Sequence, residues 1–315
     1  MSQIAAAQAT ETLPQSGWKL FLSLATGEWQ PGASWGKKAY RRKFILRSLV
    51  MPVYTASLMK NLASQPHLAN MLNAQPGLPC RLHRPYLAMP LKRKHTRDTI
   101  AYHYQKIAEK MPKKLLNGHF STEGYRLASL VGKNNELMFI DLTSHDIEGK
   151  EGEAFLNFCN EEGVPLARMT FTLNQFEGKN TFFIGCLQGA KPWVPHEAIQ
   201  AATKACHGLF PKRILLEVAC ELAKLFDAER ILAVGNSTHI YRSWRYEKKK
   251  KDSLHADYDS FWESMSGQSR ADGLFALPSS VERKPLEDIA SKKRAEYRRR
   301  YELLDGMMSN INSHF

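Results

Sequence analysis

The sequence predicts an α+β fold: a basic, mostly helical N-terminal region followed by a mixed, mostly antiparallel sheet with packed helices. Three observations carry this. Residues 37–63 repeat apolar and basic side chains at helical spacing. Five apolar or alternating runs follow between 125 and 188, separated by turns of hairpin length. After 195 the rhythm returns to helical spacing and then yields one short apolar run, ERILAV. A boundary near 115 divides the chain into residues 1–115 and 116–315.

Residues 1–16 read as a polar tail, and GWKLFLSLATGEWQPGASWG then gathers three tryptophans and a phenylalanine. In KKAYRRKFILRSLVMPVYTASLMKNLA the pairs Lys37/Arg41, Lys38/Arg42 and Lys43/Arg47 stand four apart. Tyr40, Phe44, Ile45 and Leu49 supply the apolar side. Pro52 should kink or end the first half, since it lacks an N–H and clashes with the preceding turn. Residues 64–97, rich in proline and bases, read as an irregular, partly extended connection with a little helix. The stretch 98–118 reads as a helix ended by Pro112.

The runs 125–131, 136–143, 153–159, 166–174 and 181–188 then form an antiparallel meander. HEAIQAATKACHGL and FPKRILLEVACELAKLF are helices, the second lined by Ile214, Leu215, Val218, Leu222 and Leu225. A meander, a helical crossover and another strand make an α+β or mixed domain. The charged stretch PLEDIASKKRAEYRRRYELLDGM closes the chain as a helix, with Pro285 in its first turn and Glu287 and Asp288 near its start. Most of its face should meet solvent.

The net charge of +13 is localised. From Trp29 to Arg97 there is no Asp or Glu, and thirteen Lys and Arg. Without them the chain holds 31 basic and 31 acidic residues (44 less 13, against 31). Such a field attracts nucleic acid, anionic lipid head groups or acidic partners. Lys37, Lys38, Arg41 and Arg42, beside tryptophans, suit an anionic membrane interface. The alternative is a helix packed on the domain with its basic face in water. Nucleic-acid binding is a further class, but no RRM, KH, zinc-finger or helix-turn-helix signature occurs. A basic patch alone binds nucleic acid only non-specifically and salt-sensitively.

No apolar run reaches the roughly 18–20 residues that span a bilayer, and the N-terminus lacks a secretory signal pattern. A cytoplasmic protein is expected, peripheral at a membrane if the basic helix docks there. The five cysteines are scattered without a CxxC pair, so neither disulfides nor a metal motif is indicated.

The chemistry-bearing stretch is GNSTHIYRSWRY (235–246) at the end of ERILAV. Sites gather at carboxyl ends of strands in open sheets. His239 could act as general base and Tyr241 as general acid, with Arg242 and Arg245 as phosphate ligands. In the competing reading Ile240, Trp244 and Tyr246 pack, while the arginines and lysines 248–251 face water.

Gln188 and Gly189, GLFPKRILLE, the strand into GNSTHIYR, DYDSFWES and KKRAEYRRRY follow one another in order. With these, the chain resembles the VirK/YbjX family of Gram-negative bacteria from about residue 35 to about 305. The resemblance implies a cytoplasmic or inner-membrane-associated protein of the cell envelope. It links the chain to virulence, to resistance against cationic antimicrobial peptides, and to display of an outer-membrane protein. It supplies no agreed catalytic residues.

The order of strand, helix, strand, Asn and Tyr is also similar to the core of the GNAT acyltransferases. That resemblance implies acyl-CoA or acyl carrier protein as donor, a lipid or envelope precursor as acceptor, and an anion site at a helix N-terminus. Gly208, Lys212 and Arg213 fall in range of such a phosphate, ERILAV leads to Asn236, and Gln188 and Gly189 are further cofactor-binding candidates. Phe210 replaces the second glycine of that superfamily's pattern, and Tyr241 follows Asn236 unusually closely. The alternatives to acyl transfer are a non-enzymatic membrane-peripheral adaptor or chaperone and an RNA-binding regulator.

Overall fold

The computed structural model describes residues 14–89, 91–145, 149–246 and 257–315. Helix α1 (Gly17–Thr26) starts where Ser16 Oγ accepts from Lys19 N at 3.2 Å, and stops at Gly27 with φ 86°. Pro52 divides the predicted basic helix: α2 (Lys38–Val50) ends before it and α3 (Pro52–Ala63) begins with it. At a first helical turn proline has no N–H to waste. The apolar side of α2 differs from expectation. Phe44 and Ser48 are buried, whereas Leu49 points outward. Segment 64–97 holds the helix expected there, and more of it. It holds α4 (Leu68–Ala74), a 3-10 turn (Leu78–His83) and the start of α5 (Arg93–Lys110). Pro112 then caps α6 (Lys113–His119).

The meander forms as predicted, from β1 (Tyr125–Val131), β2 (Leu137–Thr143), β3 (Ala154–Cys159), β4 (Pro165–Phe176) and β5 (Lys179–Gly189), each antiparallel to the last. Helices α7 (His196–Ala205) and α8 (Pro211–Leu225) carry the crossover to β6 (Arg230–Val234), which lies parallel to β5. Helix α9 (Tyr258–Ser264) and a hairpin of β7 (Gln268–Ser269) and β8 (Leu274–Leu277) extend the sheet. The strand order is β1-β2-β3-β4-β5-β6-β8-β7. This is an α+β architecture with one parallel pairing. The last helix, α10, spans Ser291–Asn312. Glu287 and Asp288 sit in a separate 3-10 turn after Pro285, so the helix starts later than expected and has no acidic first turn.

Helices α5 and α8 both lie on β4, whose residues are buried at every position from Met169 to Asn174. Since successive strand residues face opposite ways, both sides of the sheet are covered there. The apolar core runs without a break from Leu20 to Ile311.

One irregularity positions the site. Thr170 pairs with Cys186 but Phe171 with Ile184, so Gly185 is an extra residue in β5. A side chain there would meet the Glu151 carbonyl at 1.8 Å. Only glycine lets the 149–153 segment cross this strand. Beyond Ile184, β5 continues without β6 beside it.

Candidate functional site

The structure gathers two sets of candidate side chains, one buried and one exposed. The buried set forms where β5 leaves β6. His239 is fully buried and caps a short 3-10 turn (Ile240–Arg242) through its Nδ1, which accepts from Tyr241 N at 3.3 Å. Its ring stacks on Tyr258 of α9, with centroids 5.2 Å apart, and meets Tyr241 edge-on. Nε2 lies 3.1 Å from Glu151 Oε1. The approach is off the line of a hydrogen bond, and neither atom has another hydrogen-bond partner among the described residues. Cys186 Sγ stands 3.3 Å from the Tyr258 hydroxyl, which also accepts from Leu187 N at 3.4 Å. Burial, then the Glu151 carboxylate, holds the Cys186 thiol well above its usual pKa. Burial, then Cys186, does the same for Tyr258. Both are therefore neutral at neutral pH.

Donor atoms of Glu151, Cys186 and His239 lie within 4.8 Å of one another. This mixed oxygen, sulfur and nitrogen set is of a kind that suits a borderline-soft cation. The ring proton opposes that use. Because Nδ1 accepts from a backbone N–H, the proton belongs on Nε2, the atom facing the carboxylate. The arrangement is self-consistent as a His–Glu contact beside a neutral thiol.

Two residues further along the same segment, Glu153 forms a second buried contact. Its carboxylate accepts from Arg81 Nε at 3.0 Å, Arg81 Nη2 at 3.1 Å and Tyr104 Oη at 2.8 Å, while its carbonyl accepts from Gln75 at 2.6 Å. Arg81 also bonds Gln75 Oε1. Glu151 and Glu153 thus fasten one short segment to the strand-end loop on one side and to the N-terminal helices on the other.

The remaining residues expected at the strand end are spread among structural contacts. Asn236 clamps the start of α9. Its N donates to Asp259 Oδ1 at 2.7 Å, Nδ2 to Asp257 Oδ1 at 2.9 Å, and Oδ1 accepts from Tyr258 N at 2.8 Å. Arg242 Nε bonds Asn236 O at 3.0 Å, and Arg245 Nη1 bonds His83 O at 3.3 Å. Gln188 and Gly189 end β5, with Lys212 packed toward Gly189 and the Phe261 ring. Burial lowers the Lys212 pKa. Gly208 turns with φ +83° beneath Arg300, whose guanidinium bonds His207 O at 2.9 and 2.6 Å. Arg213 Nη2 lies 3.6 Å from Glu217. Lysines 248–251 lie outside the described residues. A donor arm entering between β5 and β6 would have to displace Tyr258.

The exposed set lies on α1, α2 and α3. Leu46, Leu49, Val50, Val53 and Trp18 stand in solvent, with Leu49 68% and Val50 77% accessible. Lys37, Lys38, Arg42 and Lys43 are exposed on the N-terminal half of the same helix. Arg41 is half-buried and donates to Trp35 O at 2.6 Å. Between the three helices lies a groove of about 730 Å³. Among the described residues, no helix is long and apolar enough to cross a membrane.

Glu151, Cys186 and Tyr258 were not singled out from sequence. A glutamate in a turn, a cysteine in an apolar strand and a tyrosine in a helix each have an ordinary reading. Only the bulge at Gly185 brings them together.

Fold and surface together define an α+β protein with an exposed apolar, basic-flanked face and a buried strand-end cluster. The chain belongs to the DUF535 family, described as "Protein of unknown function", which it matches over residues 33–313. It is 48% identical over 315 residues to the uncharacterized protein YbjX of Escherichia coli, spanning 100% of this chain and 95% of that one. An uncharacterized protein of Haemophilus influenzae is 34% identical over 172 residues, 55% of this chain and 56% of its own. No solved structure matches.

Proposed function

We propose that this protein docks peripherally on anionic membrane surfaces through the α1–α3 face. The observation that carries the reading is the joining of exposed Leu46, Leu49, Val50, Val53 and Trp18 to an exposed run of lysines and arginines on one helix. Contiguous apolar surface on a protein marks an interaction site. Basic residues near an anionic bilayer contribute about 1 kcal/mol each, and the apolar side chains add insertion energy that salt does not screen. The VirK/YbjX resemblance adds the cell envelope as the setting.

Flotation with vesicles tests this. Binding to phosphatidylglycerol vesicles that weakens with salt, and little binding to neutral vesicles, is expected. Equal binding to both would remove the electrostatic half of the reading, and no binding to either would overturn it.

A second reading, acyl transfer from acyl-CoA or acyl carrier protein, has the divergence of β5 from β6 beyond Ile184 in its favour and the buried Tyr258 side chain, whose hydroxyl accepts from Leu187 N in that gap, against it. Calorimetry with each donor tests it. Absence of heat and of thermal stabilisation with both would set it aside.

A further inference from the structure

The groove within the docking face has a chemistry distinct from the outward surface. Its volume of about 730 Å³ falls within the roughly 300–1,000 Å³ of small-molecule pockets. Trp18 and Phe21 of α1, Ile45 and Leu49 of α2, and Ala56 and Met59 of α3 supply the walls. Gly17 closes one end by bringing α1 onto the backbone of α3, where a side chain would meet Lys60 N at 2.6 Å. Lys60 itself is exposed and lines the groove. Thr55 Oγ1, on the lining, is buried with no hydrogen-bond partner among the described residues. A fully apolar occupant would suit the walls but leave Lys60 unused.

We infer that this groove holds one acyl chain of an anionic lipid, with its carboxylate or phosphate head at Lys60. The inference deepens the docking reading and rests on it in part: Trp18 and Leu49 belong to both, while Phe21, Ile45, Ala56, Met59 and Lys60 line the groove alone. The chain could come from a free fatty acid or from a phospholipid in the bilayer, and both share this chemistry. A chain in the groove replaces water against six apolar side chains, while its head stays at the rim in reach of an ammonium.

The test uses the full chain without vesicles, titrated with cis-parinaric acid. A saturable fluorescence rise that palmitate reverses is expected. Ala56→Trp fills the groove from α3. It should weaken the probe about tenfold or more, the equivalent of roughly two buried methylenes, without lowering the melting temperature. Lys60→Glu should weaken it by a smaller factor. Flotation of Ala56→Trp on phosphatidylglycerol vesicles should persist, because Leu46, Val50 and Val53 are untouched.

No saturable rise, or a rise that Ala56→Trp leaves unchanged, overturns the inference. A dimer that Ala56→Trp dissolves assigns the groove to a second copy and overturns it as well. Native mass spectrometry after incubation with phosphatidylglycerol vesicles or with palmitate separates the two sources by the mass retained. Probe binding without flotation would leave the groove standing and remove the docking reading. Flotation without probe binding would do the reverse.

Discussion

The α1–α3 face and the seam around residues 149–153 both break the usual relation between polarity and burial, in opposite senses. On the face, Leu46, Leu49, Val50 and Val53 are apolar and exposed. In the seam, Arg81, Glu153 and His239 are polar or charged and almost completely buried. Their partners differ as well. Glu153 meets Arg81, Tyr104 and Gln75 from the same chain, whereas the exposed leucines and valines meet solvent. A buried charge whose partners come from the chain is part of what holds the fold together. An exposed apolar surface is completed only by something outside it. Function is therefore sought on the face, and stability in the seam.

Two changes in the seam and one among buried histidines elsewhere in the core should show this, in falling order. Glu153→Ala leaves the Arg81 guanidinium buried without its counter-charge, which should cost about 3–5 kcal/mol in urea unfolding. A cost below about 1 kcal/mol would mean that water reaches Arg81, and the contrast with the face would fail. Acid comes next. Burial lowers His83 to about 4 and His119 to about 3, and lowers His103 well below its usual value. A depressed folded-state pKa gives stability that is present above the unfolded value of about 6.5 and is lost as pH falls toward the folded value. Each histidine should add up to about 1.4 kcal/mol per pH unit to the slope in that window. His119→Gln should flatten the slope by one such share, and an unchanged slope would show that His119 is not buried neutral. His239→Ala should cost about 1–3 kcal/mol, because it strands Glu151 and opens a space against Tyr258. It should leave vesicle flotation unaltered. A lost flotation would couple the two regions and break the comparison.

The meander was legible because alternating runs and hairpin turns are local signals. Pro52 and Pro112 were legible for the same reason. The outward turn of Leu49 was not, because α2 carries apolar residues on more than one side and tertiary packing chose Phe44 and Ser48 for the interior. Segment 64–97 reads as irregular from its prolines, yet Leu78 to Leu82 are buried because Arg81 is drawn to Glu153, which is 72 residues away. His239 was legible as a strand-end histidine. Its partners Glu151, Cys186 and Tyr258 were not, since a bulge at Gly185 and a crossing loop set them in place. The roles expected of Asn236, Arg242 and Arg245 rested on residue type. The structure gives their polar atoms backbone and carboxylate partners within the fold.

The smallest expected effect on stability belongs to the face, and it is the sharpest test of the contrast. Leu49→Gln keeps a good helix former at an exposed helical position, so unfolding should change by no more than about 0.5 kcal/mol. Binding to phosphatidylglycerol vesicles should nonetheless fall. Fully burying a leucine contributes about 1.5–3 kcal/mol, so a partition loss of roughly tenfold follows if Leu49 enters the bilayer. Val50→Gln should act the same way, and the two should combine near additively only if each side chain inserts separately. High salt should leave this loss in place, since burial is not screened, while it removes the share due to Lys37, Lys38 and Arg42. A Leu49→Gln protein destabilised by more than about 1 kcal/mol would show that the leucine is already covered in solution. The face would then belong with the seam, as structure rather than as a surface waiting for a lipid.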